Sequence, residues 1–448
     1  MHPFYSSIVK KNIVLLQSIL YNIVMDKQII KTVIGEKQQE ISRIKLLQRA
    51  ECFDEHASYV LTGMRRAGKS YTLYQDMQTK LATGVVQPED FLYINFEDER
   101  IASIEAKELG LILDAYWEMF DQKHPYIYLD EIQAIAGWEK FARRLTESKY
   151  RIMITGSNAK MLSKEIASTL GGSYIQRDIY PFSFGEYLRY QGVELGKNWE
   201  YTPELRLAVI RHFQTYFYYG GIAESFEQTN KREWLTSLYQ KIVLGDIVER
   251  NKIRNPRVLR LLVRKLADSV MQPTALKRLE HIIKSTGDSI SPTVLKDYLG
   301  YMEEAYLTFS IPNLISPMTE QQTLVKRYFA DNGILNNFFI NGETKLLENI
   351  VAVHLNKLYH NTPEELRLFY YNKNVEVDFC IPEVELAIQV SYSLDDINTY
   401  EREVGGLVKF LKAFKTYRGI IITWDTERTI TEMGISLEVI PVWKWLLT

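Results

Sequence analysis

The residues best placed for chemistry are Gly63-Met64-Arg65-Arg66-Ala67-Gly68-Lys69-Ser70, which carry two glycines, a lysine and a hydroxyl at the spacing GxxxxGKS, with Tyr71 closing the run. Two glycines at that spacing let the backbone curl until successive N–H groups point inward at an anion. A helix starting near Lys69 would turn its partial positive end toward the same anion. Lys69 would then reach the β and γ phosphates of a nucleotide, and the Ser70 hydroxyl would ligate magnesium. Downstream, Tyr126-Ile-Tyr-Leu-Asp130-Glu131 is an apolar run closed by two acids. Asp130 would hold the metal directly or through a water, and Glu131 is placed to polarise an attacking water, as general base or as an orienting group. A further run, Arg151-Ile-Met-Ile-Thr155, ends in Gly156-Ser157-Asn158. Ser157 and Asn158 are the candidates for contact with a terminal phosphate, against the plainer reading of an ordinary polar turn.

These groups can meet only if the elements around them bring the ends of several strands together. Tyr59-Val60-Leu61 predicts a strand before the glycine loop, and residues 71–78 a helix after it. Phe91–Phe96 reads as a strand, 102–120 as a helix, and 126–130 and 151–155 as strands. Strands alternating with helices across 58–180 predict a parallel sheet covered by helices on both faces. Upstream, Ile13, Leu16, Leu20 and Ile23 or Val24 recur at helical spacing, and residues 26–54 read as further helix leading into this core. Residues 200–255 read as helices broken at Gly220-Gly221. Residues 256–312 give a helix, a second from Thr274 to Ser285, a third capped by Ser291-Pro292, and a strand at 305–309. The resulting division is 1–54 helical, 55–190 nucleotide-binding, 191–255 a helical linker or lid, 256–315 winged-helix-like, and 316–448 a C-terminal domain.

At 448 residues the chain is long for one hydrophobic core. With 46% hydrophobic and 25% charged residues it has the composition of a folded soluble protein. A net charge of −2 demands no nucleic-acid partner globally and leaves room for a local basic face. The cysteines, Cys52 and Cys380, form no metal spacing and no disulfide framework, which fits a reducing cytoplasm. The apolar stretch near the N-terminus is interrupted by Asn12, Gln17, Ser18 and Asn22 and is too short for a bilayer, so no membrane span is expected.

The runs Gly63–Ser70, Tyr93-Ile-Asn-Phe-Glu-Asp-Glu-Arg100, Leu129-Asp-Glu-Ile-Gln133 and Thr155-Gly-Ser-Asn-Ala159 together resemble the prokaryotic AAA-type, DEXX-box ATPases once called archaeal ATPases. The likeness continues through Tyr180–Tyr187, Tyr218–Glu224, Asp246–Arg250, Tyr328–Gly333 and Leu347–Val351, and so covers the chain from about residue 27 onward. It implies ATP and Mg2+ as cofactors and a P-loop sheet followed by a winged helix and a restriction-endonuclease-like α+β domain. The chain departs from the family at Gly172-Ser173, where relatives carry Gly-Arg; Arg177, Arg143, Arg144, Arg250 and Arg254 are candidates to replace that arginine. Arg65 and Arg66 are candidates for phosphate or partner contact. In the C-terminal part, Glu348 on a helix, Asp378 on a strand and Gln389 on the next resemble a PD-(D/E)xK centre, but the expected Glu-x-Lys is Gln389-Val390-Ser391. A neutral amide is a poor metal ligand and serine cannot supply an ammonium, so nuclease chemistry is expected to be lost. The leading expectation is an ATP-driven molecular switch or motor with a DNA or protein partner, the winged helix being the candidate DNA contact through Arg264, Lys265, Lys277, Arg278, Lys284 and Lys296. The alternatives are an ATP-regulated DNA-binding or scaffold protein with slow turnover, and an ATP-licensed nuclease. Oligomeric state stays open.

Overall fold

The computed structural model describes residues 26–121, 123–157, 172, 174–317, 324–360 and 367–448. Asn158 and the amphipathic segment expected at 12–25 lie outside the described residues. The chain forms two compact units. The first takes the described residues up to Thr62, then Lys69–Gly156 and the segment ending at Arg177; the second takes Gly63–Gly68, Ser157 and Asp178–Thr448.

The first unit is an α/β sheet of five strands, β1 (Ser58–Thr62), β2 (Phe91–Asn95), β3 (Tyr126–Asp130), β4 (Ile152–Gly156) and β5 (Tyr174–Asp178), in the order β2-β3-β4-β1-β5. β2 with β3, β3 with β4, and β4 with β1 all pair in parallel. Helices α1 (Lys27–Ile41), α2 (Lys69–Leu81), α3 (Gly110–Phe120) and α4 (Glu139–Glu147) flank it. Strands covered on both faces must be apolar along their whole length, and β1 and β4 are buried at every position. Val60, Leu92, Ile94, Leu129 and Ile154 join Ile30, Val33 and Ile34 of α1 and Tyr116 of α3 in one core. Each such side chain contributes about 1.5–3 kcal/mol on burial. The register sets Asp130 beside Asn95 and Thr62 beside Gly156, so the carboxyl ends of these strands stand level. Polar residues that follow the apolar runs therefore collect at one edge of the sheet, the edge where open parallel sheets hold ligands.

Two helices are shorter than the sequence pattern predicts. The helix expected through residue 54 ends at Ile41, and the one expected from 102 starts at Gly110. In the first case, side-chain amides of α2 replace helical hydrogen bonds: Gln78 donates to the carbonyls of Ile41 and Ile44, and Gln75 pairs with the backbone of Arg49 in both directions.

The second unit begins with helices α5 (Phe184–Tyr190), α6 (Pro203–Tyr219) and α7 (Lys231–Lys241), and α7 runs into a π-helix over Ile242–Glu249. Helices α8 (Pro256–Asp268), α9 (Leu276–Ser285) and α10 (Pro292–Glu304) accompany a three-stranded antiparallel sheet, β6 (Thr274–Ala275), β7 (Thr308–Pro312) and β8 (Leu324–Phe329), in the order β6-β8-β7. The helix expected from Thr274 yields its first two residues to β6, because they pair with Val325 and Leu324. Short α11 (Asn332–Asn336) and long α12 (Glu343–His360) lead into a six-stranded mixed sheet. Its strands are β9 (Phe369–Asn372), β10 (Glu376–Ile381), β11 (Leu386–Val390), β12 (Arg418–Thr423), β13 (Arg428–Glu432) and β14 (Ile435–Pro441), ordered β13-β14-β12-β11-β10-β9. Helix α13 (Ile397–Ala413) lays Val404, Leu407, Val408 and Leu411 into the core of this sheet.

Candidate functional site

In the first unit, Asp130 ends β3 with no exposure and is held from several sides. Tyr93 Oη donates to Asp130 Oδ2 at 2.6 Å and lies 3.1 Å from Tyr74 Oη. Thr155 Oγ1 donates to Asp130 Oδ1 in a very short contact, and Ser70 adds a further hydrogen bond. Burial pushes the carboxyl of Asp130 up, as does neighbouring Glu131, while the bonds from Thr155, Tyr93 and Ser70 favour its ionised form. The same Thr155 Oγ1 accepts from the backbone N–H of Glu131 at 2.9 Å. Glu131 adopts φ +53°, a left-handed conformation costly for a side-chain-bearing residue. That kink turns the chain out of β3, and the Gln133 amide then binds the Glu131 carboxylate. Lys69, the first residue of α2, is 4% exposed with Nζ 3.8 Å from Glu131 Oε1. Lys69, Ser70, Asp130 and Glu131 thus sit together, as their spacing predicts. A serine hydroxyl and a carboxylate are hard oxygen donors of the kind that magnesium takes, so the group fits the ion.

Thr155 and Tyr93 are the residues that sequence reasoning passes over. Both lie in the motif runs quoted above, but nothing in their spacing shows that they aim at Asp130. Only the sheet register, which sets β2 and β4 on either side of β3, does that.

The glycine loop itself belongs to the second unit, and its contacts there are specific. A Cβ on Gly63, at φ +145°, would stand 2.2 Å from the Ile179 carbonyl oxygen, so no other residue fits. Met64 is buried. Arg65 grips Asp246 of the π-helix with two hydrogen bonds, Nε to Oδ2 and a terminal nitrogen to Oδ1, each 2.9 Å. Arg66, left-handed at φ +68°, pairs with Glu224. Ser157 is 2% exposed, and its Oγ has no hydrogen-bond partner among the described residues. An unsatisfied buried hydroxyl is uncommon, and a ligand oxygen is one thing that satisfies it.

Of the arginines weighed for the missing Gly-Arg position, Arg143 pairs with Glu147 on its own helix, and Arg144 lies over the Phe141 ring. Arg177 donates to the Gln176 carbonyl, and Arg250 stands 3.6 Å from Asp246 Oδ1.

In the C-terminal sheet, Glu348 of α12 and Asp378 of β10 do come together, around a residue the sequence reading missed. Lys326 of β8 is fully buried, with Nζ 2.9 Å from Asp378 Oδ1, 3.0 Å from Glu376 Oε1 and 3.2 Å from Glu348 Oε1. Tyr328 Oη donates to Glu348 at 2.6 Å, and the Val390 N–H donates to Asp378 at 2.9 Å. Gln389 turns its amide N–H to Glu403 and leaves its own Oε1 unpartnered. Burial and Asp378 push Glu348 up to about 7 against the pull of Lys326. The one available signal was a lysine-arginine pair inside the apolar run Leu324-Val-Lys-Arg-Tyr-Phe329. The ammonium stands among the three carboxylates and offsets their charge. Among the described residues, no group of three or more His, Cys, Asp or Glu side chains has the arrangement of a metal site.

The sheet order, the strand-end acids and the lysine and serine that open α2 define a P-loop protein of the AAA class, and residues 55–188 match the AAA domain family. Residues 210–345 match a domain of unknown function (DUF8612). The uncharacterized protein MJ1544 of Methanocaldococcus jannaschii is 33% identical over 403 residues, spanning 87% of this chain and 88% of that one. An uncharacterized protein of Haemophilus influenzae is 29% identical over 425 residues, spanning 91% and 98%. The chain belongs to the family of the Methanocaldococcus protein. Among solved structures, the Walker-type ATPase PABY2304 of Pyrococcus abyssi is 13% identical, with a TM-score of 0.36 over 70% of this chain and 96% of that one. The ORC1 protein of Aeropyrum pernix, solved in complex with DNA, is 16% identical, with a TM-score of 0.26 over 72% and 93%. No helix among the described residues is long and apolar enough to cross a membrane.

Proposed function

We propose that the protein binds ATP with magnesium, hydrolyses it, and uses the cycle as a molecular switch or motor acting on a DNA or protein partner. The observation that carries this reading is the convergence of Lys69, Ser70, Asp130 and Glu131 at one sheet edge, with Thr155 bridging the last two. Backbone N–H groups of the Gly63–Gly68 loop would cradle the phosphates, and Lys69 would neutralise the β and γ oxygens. Ser70 and Asp130 would hold the ion, directly or through water. Magnesium, when bound, would offset charge building on the transferring phosphoryl group. Glu131, held by Gln133, is the group to orient or deprotonate water. The orphaned Ser157 hydroxyl would meet the terminal phosphate.

The partner reading rests on α8–α10 with their small antiparallel sheet, a winged-helix-like arrangement. Arg264, Lys277, Arg278 and Lys296 are exposed there, while Lys284 is tied to Glu280. The test is steady-state ATP hydrolysis with and without duplex DNA. A rate that DNA raises supports a DNA-coupled switch or motor; a rate indifferent to DNA moves the partner to another protein; no hydrolysis with tight nucleotide binding supports the slow-turnover scaffold instead.

A further inference from the structure

Asp246 carries a charge into an apolar setting. It is 5% exposed on the π-helix between the buried side chains Val243 and Ile247, and a buried carboxylate persists only when it is paired and hydrogen-bonded. Its partner comes from 181 residues earlier in the chain: Arg65, in the middle of GxxxxGKS. The bond is the strong kind, a planar guanidinium fork meeting both carboxylate oxygens at 2.9 Å. Arg250, one turn further along, approaches the same carboxylate at 3.6 Å. The neighbouring loop residue, Arg66, is fastened to Glu224 while sitting at φ +68°. π-helical segments are rare and recur at functional sites.

We infer that Asp246 is a positioning residue of the nucleotide site: its two-pronged grip on Arg65 holds the phosphate-binding loop in the curled form that presents backbone N–H groups to a polyphosphate. This rests on the nucleotide reading given above and adds a control to it. A loop that must curl before binding pays for the fraction of time it is not curled, since apparent affinity scales with the competent fraction. The pairing also makes Arg65 an anchor for the loop rather than a ligand of the phosphates.

The test is ATP affinity of the full chain, measured with a fluorescent ATP analogue, together with KM and kcat for hydrolysis, in wild type, Asp246→Asn and Asp246→Glu. Asp246→Asn keeps the shape of the side chain but loses the charge, and about a tenfold rise in Kd and KM is expected, if a tenth of the loops stay competent. kcat at saturation should fall by less than KM rises, and Asp246→Glu should recover part of the affinity. A purely structural aspartate would lower the melting temperature and the active fraction while leaving Kd unchanged, and that outcome overturns the inference. Tighter ATP binding in Asp246→Asn also overturns it, because it would mean that Asp246 withholds Arg65 from phosphate. If wild type itself binds no nucleotide, and Lys69→Ala changes nothing, the nucleotide reading is what has failed; if wild type binds and Asp246→Asn matches it, only this inference falls.

Discussion

Lys69 and Lys326 are both buried lysines beside carboxylates, and their surroundings differ in how closely those carboxylates approach. Lys69 is 3.8 Å from Glu131, a Coulombic neighbour outside hydrogen-bond reach, at a sheet edge where strand ends run out into loops. Lys326 has no exposure and touches three carboxylates at hydrogen-bond distance. Attraction in a low-dielectric interior repays desolvation only with close geometry and satisfied hydrogen bonds. The second cluster meets that condition from within the chain. In the first, Glu131 is kinked into a left-handed conformation and the carboxyl of Asp130 is pushed up by burial at the strand ends.

The largest effect expected from breaking this contrast is at Glu131. Glu131→Gln should cut ATP turnover by about two to four orders of magnitude while nucleotide binding persists. Equal turnover in that variant, measured by phosphate release, would remove Glu131 from the role of base. Lys326→Met should destabilise the C-terminal sheet by about 3–5 kcal/mol, because it leaves Glu348 and Asp378 buried without their cation. Denaturant unfolding with and without Mn2+ sharpens this: wild type should be indifferent to the ion and Lys326→Met partly rescued by it. Wild-type protein that binds Mn2+ through Asp378 would refute the idea that the ammonium takes the place of a metal.

A smaller effect is expected with pH. Glu348 has a folded value of about 7, above the ordinary 4.5, so the folded state favours its protonated form. Its contribution is fully present below about pH 4.5 and is lost as pH rises through 7, by no more than about 3 kcal/mol. Glu348→Gln should flatten the stability profile across that window; an unaltered slope in urea titrations would assign the pH dependence elsewhere. The smallest effect on stability is expected at Ser157. Its hydroxyl has no hydrogen-bond partner among the described residues, so Ser157→Ala should leave the melting temperature unchanged or slightly raised while slowing hydrolysis. A variant that melts lower and turns over normally would make Ser157 a packing residue.

Several motif runs that carry the family likeness prove to be architecture. Asp331 accepts the N–H groups of Gly221 and Gly333 at 2.8 Å each, and a Cβ on Gly220 would stand 2.1 Å from its carboxylate. Tyr218-Tyr-Gly-Gly and Tyr328-Phe-Ala-Asp-Asn-Gly are thus two halves of one buried junction, whose confinement pushes Asp331 up to about 6. Asn349, in the third of these runs, binds Phe329 and Asn332.

That Lys69, Ser70, Asp130 and Glu131 gather at one sheet edge was legible in the linear chain because the pattern that places them is local. A phosphate loop needs its glycines, lysine and serine at consecutive positions on one turn, and an acid that follows an apolar strand is delivered to the sheet edge by the strand itself. What surrounds them was not legible, because it depends on which strands become neighbours. Tyr93 and Thr155 reach Asp130 only through the order β2-β3-β4. Asp246, on a π-helix 181 residues further along the chain, meets Arg65 only through the tertiary fold. The C-terminal acids are visible in the sequence, as is the serine at 391, but the lysine that neutralises them comes from β8, outside any spacing the motif prescribes. Period and composition act over a few residues, whereas a buried charge is balanced by whatever the tertiary fold sets within about 4 Å of it.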